Sequence, residues 1–271
     1  MMTDDLSTMD DAFLAREAER TLYAYSSAWE GNDERVLDVG DALVRVQPSR
    51  GEVVALRVDA ADIDGRLDAL IGQVGAHAGR YLWVVGPSTR PRDLADRLVA
   101  RGFDVAYTWD GLALDDLSVT LPMNDDVRIE PLSWENVEEY AARCTGSTDP
   151  EARAARHLSA HRYLCSTNRE VRIVVARVGG HVAGYAVLRI EPTRIAYLRS
   201  AMTVAEFRRR GVFLSLVAHR LAIARAVGCT AAVVQAMTTT SAPILMKRGF
   251  KPVCQLAAFV AKDGRVVNTK A

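Results

Sequence analysis

The stretch TVAEFRRRGVFLSLVAHRLAIARAVG, residues 203–228, decides how this chain is read. Arg208, Arg209 and Arg210 run into Gly211, and an apolar helical pattern begins at once. Leu214, Val217, Leu221 and Ala224 recur at i, i+3, i+7 and i+10, one buried stripe of a helix that Gly228 ends. The first turn of a helix leaves its N–H groups without acceptors, so that end is already electropositive. Arginines stacked against it repel it and one another unless an anion joins them. Glycine lets a bulky anion approach the backbone, and arginine adds charge-assisted hydrogen bonds to phosphate oxygens. The stretch therefore reads as a phosphate or pyrophosphate cradle at a helix N-terminus. Neither GxxxxGK[ST] nor a GxGxxG opening a strand–turn–helix unit occurs, so two other phosphate-binding patterns are excluded.

The surroundings suit that reading. With 271 residues, 49% hydrophobic and 25% charged, the chain has the composition of a soluble globular protein of one large domain or two ordinary ones. No apolar run reaches the roughly 18 residues of a membrane span, and the start MMTDDLSTMDD is acidic rather than basic-then-apolar. The expectation is a cytoplasmic protein without a membrane partner. Cys144, Cys165, Cys229 and Cys254 show no CxxC spacing and read as incidental thiols. Net charge is zero, yet residues 1–126 carry −12 and residues 127–271 carry +12. The halves attract each other across an interface, and the basic half suits an anionic ligand. Its basic residues are not interleaved with surface aromatics, so no nucleic-acid partner is expected.

Along the chain, residues 11–30 have helical spacing of Phe13, Leu14, Ala18, Leu22 and Tyr25. VLDVGDALVRVQ and EVVALRVD alternate as strands about a turn at Pro48 to Gly51. A helix over 61–79, a buried strand YLWVVGP, a short helix RPRDLADRLVARG and a strand FDVAYTWDGLALDD follow. The polar stretch 118–126 marks a boundary. Beyond it come a strand (VRIEP), two helices, a hairpin turning at Gly179-Gly180, the strand RIAYLRSAMTV and the helix of the opening stretch. A buried strand TAAVVQAM, a short helix SAPILMKRG and a strand FKPVCQLAAFVAK close the chain. The halves rhyme: Leu98, Arg101, Gly102 and Phe103 match Leu245, Arg248, Gly249 and Phe250 at a constant offset of 147. An internal duplication follows from the shared element order.

This order over residues 127–262 resembles the GNAT superfamily of CoA-dependent N-acyltransferases. TVAEFRRRGVF is similar to that family's T/V-x-P-x-x-R/Q-x-x-G-x-G/A signature, with Arg208 and Gly211 matching. The resemblance implies an α/β fold of two lobes, each a mixed, mostly antiparallel twisted sheet flanked by helices. A degenerate lobe would occupy residues 1–120 and an acyl-CoA-binding lobe residues 127–271. It implies acetyl-CoA or another acyl-CoA as donor, and a small-molecule or peptide amine as acceptor. Arg208, Arg209, Arg210, Gly211, Val212 and Phe213 would then cradle the CoA pyrophosphate. Ala201, Met202 and Thr203 would pair with the pantetheine arm, and Thr238 stands where an asparagine often meets the cofactor.

Some family positions differ. Ala205 replaces a proline, Phe213 a small residue, and Leu245 the tyrosine that commonly protonates the departing thiolate. The first half has Asp59, Asp62 and Asp64 where a second cradle would lie, so one working lobe is expected. Amine acylation calls for a base and an acid. Glu191 is the candidate base and Tyr197 the candidate acid. The rival reading is a non-catalytic acyl-CoA-binding module. His157, His161 and Cys165 share a helical face at i, i+4 and i+8, spacing that suits zinc. The expectation there is a packing face and no metal.

Overall fold

A computed structural model describes residues 10–21, 35–46, 51–75, 81–145, 150–167 and 170–262. The first half comprises α1 (Asp11–Arg20), β1 (Arg35–Asp38), β2 (Leu43–Val46), β3 (Gly51–Val54), α2 (Ile63–Gly75), β4 (Tyr81–Val85), α3 (Leu94–Ala100) and β5 (Phe103–Leu114). The second comprises β6 (Val127–Pro131), α4 (Val137–Arg143), α5 (Pro150–Cys165), β7 (Val171–Val178), β8 (His181–Ile190), β9 (Ile195–Thr203), α6 (Val212–Ala226), β10 (Ala231–Met237), α7 (Ser241–Met246) and β11 (Lys251–Ala261). A single 3-10 turn, Ala205–Phe207, links β9 to α6.

Two local expectations change. VLDVGDALVRVQ is a hairpin rather than one strand: Gly40 turns it at φ +85°, and the Asp38 carboxylate accepts from the Gly40 N–H at 2.8 Å. The ladder of EVVALRVD ends at Val54, where Ala55 takes a left-handed φ of +53°, and Arg57 then makes an isolated parallel bridge with Arg90. The helix expected over residues 11–30 is seen to Arg20, while Leu22, Tyr25 and residues 48–50 lie outside the described residues.

The strands form one mixed, largely antiparallel sheet in the order β1-β2-β3-β4-β11-β5-β10-β9-β8-β7-β6. Only β3–β4 and β9–β10 pair in parallel. Both are the parallel step that a helix crossover, α2 or α6, produces. The sheet's centre is less expected. After β4 and α3, β5 does not return beside β4 but pairs with β10 of the other half. After β10 and α7, β11 crosses the other way and pairs with β4. The two exchanged strands pair with each other, from Phe103↔Ala261 to Lys251↔Ala113. Each carries one bulge, which leaves Val253 and Ala106 as the extra residues. They are separated by the same 147 positions as the Gly-Phe motifs, so the ladder is symmetric about its own midpoint.

Adjacent residues of a strand face opposite sides, and the two sides are covered differently. On one, α6 and α7 bury Leu112, Leu188, Leu198, Ala196, Ala232 and Val234 with Val217, Leu221, Ala242 and Leu245. On the other, α1 covers Ala113, Ile195, Tyr197, Ala231 and Val233. There α4 and α5 cover Ile173, Val175, Tyr185 and Val187. Of the expected stripe on α6, Val217, Leu221 and Ala224 are buried and Leu214 only partly so. Leu216 and Arg220 are fully buried beside them.

Residues 127–271 produced alone leave β10 without its β5 neighbour and β11 without either partner. They should be insoluble or unfolded by far-UV circular dichroism. Co-production of residues 1–126 should return a soluble 1:1 complex on gel filtration.

Candidate functional site

The parallel pairing of β9 and β10 runs only from Ala231↔Ile195 to Val233↔Tyr197. Beyond Tyr197 and Val233 the strands continue to Thr203 and Met237 without pairing, so a wedge opens between them in mid-sheet. Its β9 wall is bent. A bulge leaves Ser200 as the extra residue between Val187↔Arg199 and Ala186↔Ala201, with φ +29° at Ser200. A bulge re-aims the backbone groups on either side of it.

Arg220 holds that bend from behind. Its side chain is 1% exposed on α6, and its guanidinium donates to the carbonyls of Val187 (3.0 Å), Arg199 (3.1 Å) and Leu216 (3.1 Å). Burial pulls its pKa down to about 9. Burying a charge costs several kcal/mol, which these carbonyls oppose, and removal would orphan acceptors at about 1–3 kcal/mol each.

Below the open end of the wedge lies the arginine–glycine turn. Arg209 and Gly211 are both left-handed, at φ +63° and +74°, and Gly211 is the N-cap of α6. Among the described residues, no acceptor meets the N–H groups of Arg209, Arg210, Gly211, Val212, Phe213 or Leu214; the first helical bond is Ser215 N–H to Gly211 C=O. Arg208, Arg209, Arg210 and Gly211 are exposed, whereas Val212 is buried and Phe213 packs against the α6 core. Such a run of free amides in a positively charged turn has the chemistry to receive an anion. The turn is braced from below by Asn124, whose Nδ2 donates to the Arg210 carbonyl (3.0 Å) and whose N–H donates to buried Ser215 Oγ (3.0 Å). Arg210 and Arg143 both lie over the Phe207 ring, at 5.5 and 5.7 Å, and Arg143 also pairs with Glu206.

The strand ends beside the wedge carry two buried hydroxyls without hydrogen-bond partners, Thr203 Oγ1 and Thr238 Oγ1. Buried polar atoms are nearly always paired, so the pair fits a polar ligand between the strands. Ala201 is exposed, and Met202 is partly buried against the α4–α5 core. In the first half the matching helix start is differently built. Asp62 Oδ1 accepts from Gly65 N–H at 2.9 Å, and Asp64 pairs with Arg97 and Arg101. Carboxylates occupy the position that an anion would need.

Tyr197 stands at the apex of the wedge, its phenol donating to Gln235 Oε1 at 3.1 Å. Burial raises its pKa and keeps it protonated at neutral pH. Gln235 in turn donates to the Ala18 carbonyl of α1 at 2.7 Å. Glu191 is 2% exposed at the β8–β9 turn, the paired end of the strands rather than the open one. Its carboxylate meets Arg20 at 2.9 Å and Arg189 at 3.0 Å. This setting departs from the base role expected of Glu191, since both oxygens face guanidinium groups and none faces the wedge. Leu245 is 1% exposed in the α6–α7 core.

Glu191 belongs to a clamp organised by the last turn of α1. Glu17 pairs with Arg20 (2.8 Å) and accepts from Thr193 Oγ1 (2.7 Å) on the second half. Glu19 accepts from Ser88 N–H (3.0 Å) and Oγ (2.8 Å) on the first. One helical turn thus ties both halves across the central strands. Burial pushes the Glu17 carboxyl up, but the hydrogen bonds from Arg20 and Thr193 and the nearby arginine charges outweigh it and hold it below the usual range.

Asn124, Arg220 and this clamp were not anticipated. Arg220 had a signal: it lies one turn after Leu216 on a helix face that is otherwise apolar. Asn124 and the clamp depend on pairings 69 to 176 positions apart, which no local pattern reveals.

Residues 134–250 match the model of the acetyltransferase (GNAT) family. A GCN5-related N-acetyltransferase from Kribbella flavida shares the fold at 16% identity, over 92% of this chain and 95% of that one, with a TM-score of 0.63. A conserved protein of unknown function from Staphylococcus epidermidis is similar at 12% identity, over 85% and 94%, with a TM-score of 0.61. A tandem GNAT protein from the clavulanic acid biosynthesis pathway is similar at 13% identity, over 94% and 96%, with a TM-score of 0.57. No curated protein matches.

Two substitutions test the frame. Arg220→Met should lower stability by about 2–4 kcal/mol, read by urea unfolding, because two strand carbonyls lose their donor. For Glu17, a depressed folded pKa means that the carboxylate stabilises above its unfolded value of 4.5 and stops doing so as pH falls through the lower folded value. The melting-temperature gap between wild type and Glu17→Gln should therefore be widest near neutral pH and close on acidification from 4.5 through the lowered folded value.

Proposed function

We propose, for a chain that belongs to the GNAT superfamily, an acyl-CoA-dependent N-acetyltransferase whose donor is most simply acetyl-CoA and whose acceptor is the amine of a small molecule or peptide. The observation that carries the reading is the run of unpartnered N–H groups from Arg209 to Leu214, set beside a wedge that ends in two orphaned threonine hydroxyls. Each part answers to a part of the donor. The amides and Arg208, Arg209 and Arg210 suit a pyrophosphate. The unpaired edge of β9 at Ala201, Met202 and Thr203 suits the amide-bearing arm as an added strand, with Thr238 opposite. The +12 charge of residues 127–271 draws in an anionic donor.

Acyl transfer to nitrogen passes through a tetrahedral oxyanion. Fixed backbone donors aimed where that charge develops are an effective way to stabilise it. The bulge at Ser200 supplies such backbone groups at the wedge, and Arg220 fixes them by gripping the adjoining carbonyls. Arg220 is on this reading a positioning residue. Tyr197 is a protonated phenol at the wedge apex and remains the candidate acid, its hydrogen bond to Gln235 setting its direction. Residues 1–120 serve as a degenerate duplicate that lends β5 to the working lobe, residues 127–271.

Burial of Leu245 favours a second reading, a module that binds acyl-CoA without turnover. Incubation with acetyl-CoA and a panel of primary amines separates them: free thiol released in an amine-dependent way supports the transferase, and calorimetric binding without release supports the module. Gly211→Glu adds bulk and negative charge at a left-handed position where even a Cβ meets Asn124 Cβ at 3.1 Å. Its affinity for coenzyme A should fall at least about 100-fold, the equivalent of roughly 3 kcal/mol, with the circular dichroism spectrum retained. Unchanged affinity would refute the cradle.

A further inference from the structure

On the outer surface of α4 and α5, apart from the wedge, Glu138, His157 and His161 converge. His157 and His161 are one turn apart on α5, with ring centroids 4.1 Å apart. Glu138 comes from the first turn of α4 and points one oxygen, Oε1, at both: 2.6 Å from His157 Nε2 and 3.8 Å from His161 Nε2. One ligand atom from each residue can be chosen so that all three lie within 4.8 Å of one another. The Trp134 ring stands edge-on to His161 at 5.0 Å and fixes its plane. Cys165, the third member expected from sequence spacing, is exposed and does not join the group.

A hydrogen bond between Glu138 and His157 accounts for two of the three side chains. It leaves His161 Nε2 buried and without a hydrogen-bond partner, although an oxygen lies 3.8 Å in front of it. We propose that these three residues form an open-sided site for a divalent transition-metal ion of the zinc class, which fastens α4 to α5. Two imidazoles and one carboxylate are a donor set that suits zinc, cobalt, nickel or copper rather than magnesium or calcium. Metal–ligand bonds of about 2.0–2.2 Å place tetrahedral ligand atoms roughly 3.3 Å apart. The shared oxygen, at 2.6 and 3.8 Å from the two nitrogens, is within small side-chain adjustments of that spacing. All three side chains are more than one third exposed and have the freedom to make them. Water completes the coordination on the solvent side. The role is structural: the ion joins the outer faces of two helices, of which α4 packs Tyr140 against Tyr185 of β8 and α5 lays Arg156 over both rings.

The test uses the full chain, free of any affinity tag and stripped with a chelator. Titration with Co²⁺, followed by its visible d–d absorption, and with Zn²⁺ against a chromophoric chelator should each give one equivalent bound. Zn²⁺ should also raise the melting temperature. His157→Ala, His161→Ala and the near-isosteric Glu138→Gln should each weaken binding by about tenfold or more and abolish the thermal gain. Cys165→Ser and His181→Ala should bind as wild type does. Absence of stoichiometric binding by the wild-type chain, or wild-type affinity in His161→Ala, would overturn the site.

Discussion

Everything in this molecule rests on the ladder between β5 and β11. Each strand follows, in sequence, the parallel pair of its own half, and each is delivered to the other half's pair. The wedge between β9 and β10 is therefore backed by a strand from the first half, because β5 lines the far edge of β10. A parallel pair that splays loses hydrogen bonds along one edge, and β10 tolerates this because its other edge is fully paired. The opened strand is held in place by a neighbour borrowed from the first half of the chain.

The electrostatics follow the same division. The first half fills its helix start with Asp62 and ties Asp64 to two arginines, so its negative charge is spent within the fold. The second half leaves Arg208, Arg209 and Arg210 exposed around free amides and places Arg220, the most deeply buried guanidinium among the described residues, against backbone carbonyls. Where carboxylates and a guanidinium group meet at the seam, the buried Glu17 and Glu191 both accept from the half-buried Arg20. At that seam the acidic half supplies the arginine and the basic half the carboxylate, so a local pair rather than the net charges of the halves closes it.

Much of this was legible in the sequence. The strand and helix order of residues 127–262 survives intact, because periodicity and glycine punctuation are local signals. The exposed arginine–glycine turn was legible for the same reason: Arg-Arg-Arg-Gly before an apolar helix is a contiguous pattern. Pairing partners were not. Nothing in YLWVVGP or FDVAYTWDGLALDD says which edge each will take, since β-strand propensity is indifferent to the neighbour. The burial and pairing of Glu191 were hidden on similar grounds. A carboxylate at a strand end looks solvent-exposed until a helix from the far N-terminal region closes over it. Leu214 was assigned to the buried stripe and Leu216 was not, because the helix packs over a broader arc than a single i, i+3, i+7 line.

The exchanged strands also constrain how the chain acquires its shape during synthesis. β4 waits for a neighbour that is translated some 170 residues later, so the earlier half cannot complete its sheet while the later half is still being made. Until then β4 and β5 present bare backbone edges, the kind of surface that seeks intermolecular partners. Such long sequence separations slow closure. The chain is therefore most exposed to aggregation during its own translation, and a chaperone that shields open sheet edges would matter more to its yield than to its final stability.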